Sequence, residues 1–246
     1  MPAKEPGYAA SLKPRPVVEY LGYVYRPLGY LVVRALWRSS LRPEHLVLLH
    51  GLLGVAAAAL IARGDWVAAA VLLQLVTILD NADGQLARAR GQTSRLGRFL
   101  DTEVDLLAHL AIFAALARVC GGWVWLGFAA LVLVLSLDFN LSRPPGTGRE
   151  PSAGGTEAAL ELIYRLVFGW QDYLIGRLEA YLGAAPRWLR VLLANQGRST
   201  QLLLLSIALV AGRPCAYPVY LVILAAGLAL VYAVRIWRRI ATPSLR

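Results

Sequence analysis

Charge is scarce in this chain. Only 16% of its 246 residues are Asp, Glu, Lys or Arg, while 58% are hydrophobic, against about 25% charged in an ordinary soluble domain. The mean hydropathy is +0.55. That balance excludes a water-soluble globule, and one helical membrane domain accounts for the length. Cysteine is nearly absent: Cys120 and Cys215 are too few for a disulfide scaffold or a cysteine-based zinc site. Acids are outnumbered, 15 against 25 Lys and Arg, for a formal charge of +10. The positive charge lies between apolar stretches rather than on a polar domain, and no nucleic-acid-binding motif accompanies it. Nucleic acid is therefore not an expected partner; anionic lipid head groups are. Internal repeats, low-complexity tracts and a second soluble domain are also missing. The first long apolar run begins too late for a cleavable signal peptide.

What is present is a series of apolar segments. They predict spans at about Glu44–Ala62, Trp66–Leu86, Leu96–Val119, Trp123–Leu141, Trp188–Ala211 and Tyr217–Trp237. With that assignment 22 of the 25 Lys and Arg fall on one side, leaving Arg63, Arg118 and Arg213 on the other. The excess marks the cytoplasmic face, so both termini are expected there, as in a prokaryotic inner membrane. Glu157–Leu182 is apolar enough to suggest a seventh span, but it carries Glu157, Glu161, Arg165, Asp172, Arg177 and Glu179. Each costs roughly 2.5–3.5 kcal/mol near a bilayer centre, so an amphipathic helix on the cytoplasmic face is expected instead. Val17–Trp37, with interleaved Tyr and Arg, reads as an interfacial helix. The expected fold is therefore an all-α integral membrane protein of six transmembrane helices. An N-terminal interfacial helix precedes them, and a cytoplasmic amphipathic helix lies between spans four and five. Residues 1–16 read as a mobile polar arm, residues 17–246 as a single membrane-embedded domain, and Arg143–Gly155 as its one long Pro- and Gly-rich loop.

The chemistry concentrates between Leu79 and His109. Asp80, Asp83, Gly84, Ala87, Arg88, Gly97, Asp101 and Asp105 stand at the spacing D-x2-D-G-x2-A-R-x8-G-x3-D-x3-D. From average composition, such a match arises in one frame with a chance on the order of 10⁻¹⁰. Asp80 and Asp83 are three apart, and Asp101 and Asp105 four apart, so each pair lies on one helix face beside small residues. Four clustered carboxylates repel one another unless a cation neutralises them, and all-oxygen ligands select hard ions such as Mg²⁺ or Mn²⁺. Single aspartates could instead cap helices or pair with Arg88, Arg90, Arg95 and Arg98. Four at this spacing and depth, where acids are rarely tolerated, point to a site.

The eight residues resemble the signature of the CDP-alcohol phosphotransferases, membrane enzymes that make phospholipids and related phosphodiesters. The resemblance implies that an alcohol attacks the phosphorus of a CDP-linked donor such as CDP-diacylglycerol and CMP leaves. It implies two Mg²⁺ or Mn²⁺ ions held by Asp80, Asp83, Asp101 and Asp105, with Asp105 also the general base. Asp80, Gly84, Ala87, Arg88 and Gly97 are then the CDP-donor-binding residues, Arg88 on the pyrophosphate. A homodimer is a further implication. Polar residues at similar depth, Asp138, Asn140, Arg143, Gln196 and Arg198, are the acceptor candidates, and helix capping would equally explain them. Branches of the family that use glycerophosphate or inositol phosphate usually carry a basic residue directly after the last Asp. Here it is Leu106, so the acceptor is left open. His109 lies one turn beyond Asp105, and His45 and His50 begin the first span, where the family's usual Asn and Thr are absent. Cys120 and Cys215 fall at the non-cytoplasmic ends of spans, as a disulfide or as two unpaired small apolar residues. The runner-up reading is a cation- or proton-coupled transporter, whose paths intramembrane acids also line.

Overall fold

The structure, a computed structural model, describes residues 7–13, 17–141 and 155–241, and these form helices and turns without a strand. Helix α1 (Tyr8–Ser11) is a single turn and α2 (Gly22–Leu36) follows it. Four long helices come next: α3 (Pro43–Arg63), α4 (Trp66–Ala89), α5 (Arg95–Cys120) and α6 (Val124–Leu141). Beyond residues 142–154, α7 (Thr156–Tyr164) runs through a π turn at 165–169 into α8 (Trp170–Leu182). Helices α9 (Arg187–Ala194), α10 (Arg198–Val210) and α11 (Ala216–Ala241) complete the bundle.

Local sequence sets the helix ends that matter for the site. Pro43 opens α3, where its missing N–H is harmless. Gly91 adopts φ 65° and ends α4, while Gln92 N–H closes the turn onto the Ala87 carbonyl at 2.8 Å. Ser94 then caps α5, its Oγ accepting from the Gly97 N–H at 2.9 Å. This tight reversal keeps the C-terminal end of α4 beside the N-terminal end of α5.

Close packing comes from small residues, as in other proteins whose helices associate without help from water. A Cβ on Gly51 would lie 2.2 Å from Val104 Cγ1, and one on Gly54 would lie 2.9 Å from Ala108 Cβ, so α3 and α5 meet at these glycines. The main core joins Ile61, Leu73, Phe113, Leu131, Leu205 and Leu221 from six helices. A polar relay crosses it: Tyr25 donates to Gln74 at 2.5 Å, and Gln74 Nε2 to Ser206 at 2.7 Å. Outward-facing Leu52, Val67, Ile223 and Leu230 are about two-thirds exposed, which suits acyl chains and not water. Helices α3, α4, α6 and α11 are long and apolar enough to cross a membrane. The protein is an integral membrane protein.

The predicted spans one to four and six coincide with α3, α4, α5, α6 and α11 to within a few residues. The fifth needs correction. Expected as one helix over Trp188–Ala211, it is broken into α9 and α10, because Asn195 is recruited elsewhere. Its Nδ2 donates to the carbonyls of Val191 and Val18 at 2.9 Å, and its Oδ1 accepts from Tyr20 N–H at 2.8 Å. Gly197 follows in an extended conformation. At 13 residues α10 is about 20 Å long, short of an apolar core of about 30 Å. The segment expected as an amphipathic helix forms α7–α8, and α2 falls within the segment expected as an interfacial helix. From the polar arm, Tyr8–Ser11 docks on α4, with Ser11 buried and its carbonyl accepting from Arg88 Nε at 2.7 Å. Cys120 and Cys215 are joined in a disulfide, Cα–Cα 5.6 Å, which ties the end of α5 to the connection between α10 and α11.

Candidate active site

The reversal at Gly91 brings all four motif aspartates to one cavity of about 470 Å³. Asp80 and Asp83 come from the last turns of α4, Asp101 and Asp105 from the first turns of α5. Gly84, Arg88, Asn81 and Gln85 line it from α4, and Ser199 and Thr200 from α10. One wall is apolar, made by Leu106, Phe128, Leu131, Val132 and Leu135. Leu12 and Lys13 of the docked arm, and Gly22 and Arg26 of α2, stand at its edge.

Two cationic or potentially cationic groups reach the carboxylates. Arg198, at the first position of α10, forms ion pairs with both Asp80 and Asp105. His50, fully buried on α3, sits with Nε2 at 3.1 Å from Asp83 and 3.7 Å from Asp101, and Nδ1 at 3.8 Å from Asp105. Asp83 Oδ2 and Asp101 Oδ1 are buried with His50 as their near partner, and Asp105 Oδ1 has Arg198 and His50, so four carboxylates share two such groups. Buried carboxylates so crowded are costly unless something else satisfies them. Donor atoms of His50, Asp80, Asp83 and Asp101 lie within 4.8 Å of one another, close enough to share a divalent ion. The residues therefore fit the metal that the motif implies.

The sequence profile of CDP-alcohol phosphatidyltransferases matches residues 41–170, just over half of the chain. The chain belongs to the CDP-alcohol phosphatidyltransferase family. Inner membrane protein YnjF of Escherichia coli is 36% identical over 163 residues, covering 58% of this chain and 76% of that protein. A phosphatidylinositol phosphate synthase of Cutibacterium acnes is 29% identical over 170 residues, 64% of this chain and 77% of the relative. A bifunctional IPC transferase and DIPP synthase of Rubrobacter xylanophilus is 32% identical over 149 residues. That match covers 59% of this chain but only 34% of the longer protein. The phosphotransferase is thus an enzyme that uses a CDP-alcohol donor and an alcohol acceptor within a lipid membrane.

Several expected residues of the phosphotransferase lie where the motif implies. Asp80, Asp83, Gly84, Arg88, Asp101 and Asp105 line the cavity, as do Asp138 and Arg198 from the acceptor candidates. Gly84 leaves space that the Arg88 guanidinium occupies: a Cβ there would lie 3.1 Å from Nη1. Other expected residues are elsewhere. Ala87 and Gly97 shape the α4–α5 reversal without lining the cavity. Asn140 does not line it, but donates to the Ser136 carbonyl at 2.8 Å and to Asp172 at 2.9 Å, both residues that do. Gln196 faces the bundle, its Oε1 accepting from the Tyr220 hydroxyl and from Gln201 at 3.2 Å. Arg143 lies outside the described residues. His109 lines the cavity and bonds within its own helix, Nδ1 at 2.8 Å from the Asp105 carbonyl. His50, expected with His45 to begin the first span, stands among the carboxylates. Its signal was an imidazole two turns inside an apolar span, where polar groups seldom stand without purpose.

Proposed function

We propose that this phosphotransferase moves the phosphatidyl group of CDP-diacylglycerol to an acceptor hydroxyl, releasing CMP in phospholipid biosynthesis. The observation that carries the reading is the convergence of Asp80, Asp83, Asp101 and Asp105 on a cavity with one apolar wall. The acidic end suits a pyrophosphate neutralised by divalent ions. The wall of Leu106, Phe128, Leu131, Val132 and Leu135 suits acyl chains, which favours a lipid donor over a soluble CDP-alcohol.

Asp80, Asp83, Asp101 and Asp105 would hold two Mg²⁺ or Mn²⁺ ions, which supply neutralisation of the pyrophosphate and of charge developing on CMP. Arg88 lines the donor side and is suited to pair with a phosphate oxygen. The acceptor oxygen attacks the phosphorus next to the lipid alcohol. Its proton passes to the Asp105 carboxylate, the new P–O bond forms, and the bond to CMP breaks with its electrons on CMP. Asp138, Ser199, Thr200 and Arg198 surround the side from which an acceptor would arrive. A relative is named for phosphatidylinositol phosphate synthesis, so inositol phosphate is the first acceptor to try. Arg198 would then stand in for the basic residue that Leu106 replaces.

The site opens to the cytoplasm of an inner membrane in this reading. The disulfide supports that orientation, because it lies at the opposite bundle end, where an oxidising exterior would sustain it. The enzyme works as a homodimer, as the family resemblance implies, and α11, most of whose apolar residues are not buried in the bundle, has the surface to spare. Purified enzyme in detergent should release CMP from CDP-diacylglycerol in the presence of Mg²⁺ or Mn²⁺ and one member of an acceptor panel. Full turnover in excess chelator, or turnover only with soluble CDP-alcohols, would overturn the metal or the donor assignment respectively. In intact cells, an impermeant thiol reagent should label Cys120 and Cys215 only after reduction. Labelling confined to the cytoplasmic side would reverse the topology.

A further inference from the structure

We propose that His50 is a nitrogen ligand of the metal centre, completing a mixed imidazole–carboxylate set with Asp80, Asp83 and Asp101 and tilting it toward Mn²⁺ over Mg²⁺. The inference rests on the reading that these aspartates hold divalent ions, and it adds a ligand that the aspartate motif does not contain.

The first support is geometry. His50 reaches the carboxylates from a third helix: Nε2 is 3.1 Å from Asp83 on α4 and 3.7 Å from Asp101 on α5. Its donor atom and those of three aspartates lie within 4.8 Å of one another. The second is what surrounds the ring. His50 is 0% exposed, and both of its nitrogens face motif carboxylates, Nε2 toward Asp83 and Asp101 and Nδ1 toward Asp105. His109, by contrast, turns Nδ1 to a backbone carbonyl of its own helix. The third is how α3 is built around it. Gly51 and Gly54 remove the side chains that would hold α5 away, Gly51 facing Val104 and Gly54 facing Ala108. That close approach is what brings the α5 aspartates to the ring.

The chemistry follows from the donor set. Carboxylates alone suit Mg²⁺, which keeps oxygen ligands and much of its water. An imidazole nitrogen favours later, softer divalent ions, and Mn²⁺ accepts both donor types. A centre with one imidazole among carboxylates is thus shifted in preference without losing its hold on a pyrophosphate-binding ion.

The test reads the metal and not turnover. Purified protein is loaded with MnCl₂ alone and examined by pulsed electron paramagnetic resonance. The chain has three histidines, His45, His50 and His109, so ¹⁵N-histidine labelling is nearly site-specific. The expected result is a ¹⁴N modulation on Mn²⁺ that converts to the ¹⁵N pattern in labelled wild type. It should persist in His45→Gln and His109→Gln and vanish in His50→Leu. Competition calorimetry should show Mn²⁺ affinity falling by about tenfold or more in His50→Leu, with a smaller loss for Mg²⁺. Because the labelling result is read on wild type, a poorly folded His50→Leu does not remove the test. Bound Mn²⁺ without histidine coupling overturns this inference alone. Coupling that survives in His50→Leu and disappears in His109→Gln transfers the role to His109 and also overturns it. Failure of Mn²⁺ to bind at all brings down the metal reading as well.

Discussion

The two ends of the bundle are built on opposite principles. At one end, four aspartates from α4 and α5 crowd together with His50 and Arg198 as their near partners. At the other, a disulfide joins Cys120 to Cys215 beside an aromatic cluster in which Phe113 packs on Phe128 at 5.3 Å and on Tyr217 at 6.0 Å. The first arrangement spends stability to hold charge ready for a ligand; the second supplies stability and no chemistry. The same helices, α5 above all, run through both ends. A demanding site can therefore sit on one end because the other is cross-linked and apolar.

The largest expected effect breaks the chemical end alone. Asp105→Asn should lower kcat for CMP release by about 10²–10⁴, as loss of a general base does, while Mn²⁺ binding persists. Asp80→Asn should weaken metal and donor binding themselves. Parent-like turnover by Asp105→Asn would remove it as the base. Next comes the far end. Replacing Cys120 and Cys215 together with Ser should cost about 2–4 kcal/mol in denaturation, yet leave kcat within about twofold. If turnover falls with stability, the two ends are not separable.

A smaller effect is expected where the two ends are joined. Gly51→Ala places a methyl 2.2 Å from Val104 Cγ1, so overpacking should cost about 1–3 kcal/mol in thermal unfolding. It should also loosen the metal site, since α5 can no longer approach α3. An unchanged Tm together with unchanged Mn²⁺ affinity would show that this approach is not needed. The smallest effects sharpen the boundary of the site. Asn140→Ala and Gln196→Ala, whose side chains turn to Asp172 and Tyr220, should change donor and acceptor KM by less than about twofold. A KM rise of tenfold for the acceptor in either variant would extend the acceptor pocket to that residue.

Much of the candidate site was legible because its spacing encodes its geometry. Asp80 with Asp83, and Asp101 with Asp105, share helix faces by periodicity alone, and both pairs lie at span ends flanking a short turn. The break at Asn195–Gly197 left a signal in the run Asn195–Gln201, which has no apolar side chain, but its cause was not legible. It arises because Asn195 finds partners in Val18 and Tyr20, more than 170 residues away in sequence. Asn140 and Gln196 had the right depth, yet their side chains bond to Asp172 and Tyr220 without lining the cavity, and depth is all that a span assignment provides.

From the residues alone came the membrane class, the helical architecture and the aspartate motif, because each depends on local composition or on a period of 3.6. The family profile and the relatives agree with that reading. What only the tertiary structure decided was how helices distant in sequence face one another. Arg198 pairs with the aspartates and His50 stands among them. Cys120 meets Cys215, and Ser11 covers Arg88. Those partners are set by side-chain direction and by glycine-governed distance between helices, neither of which is written into any one segment.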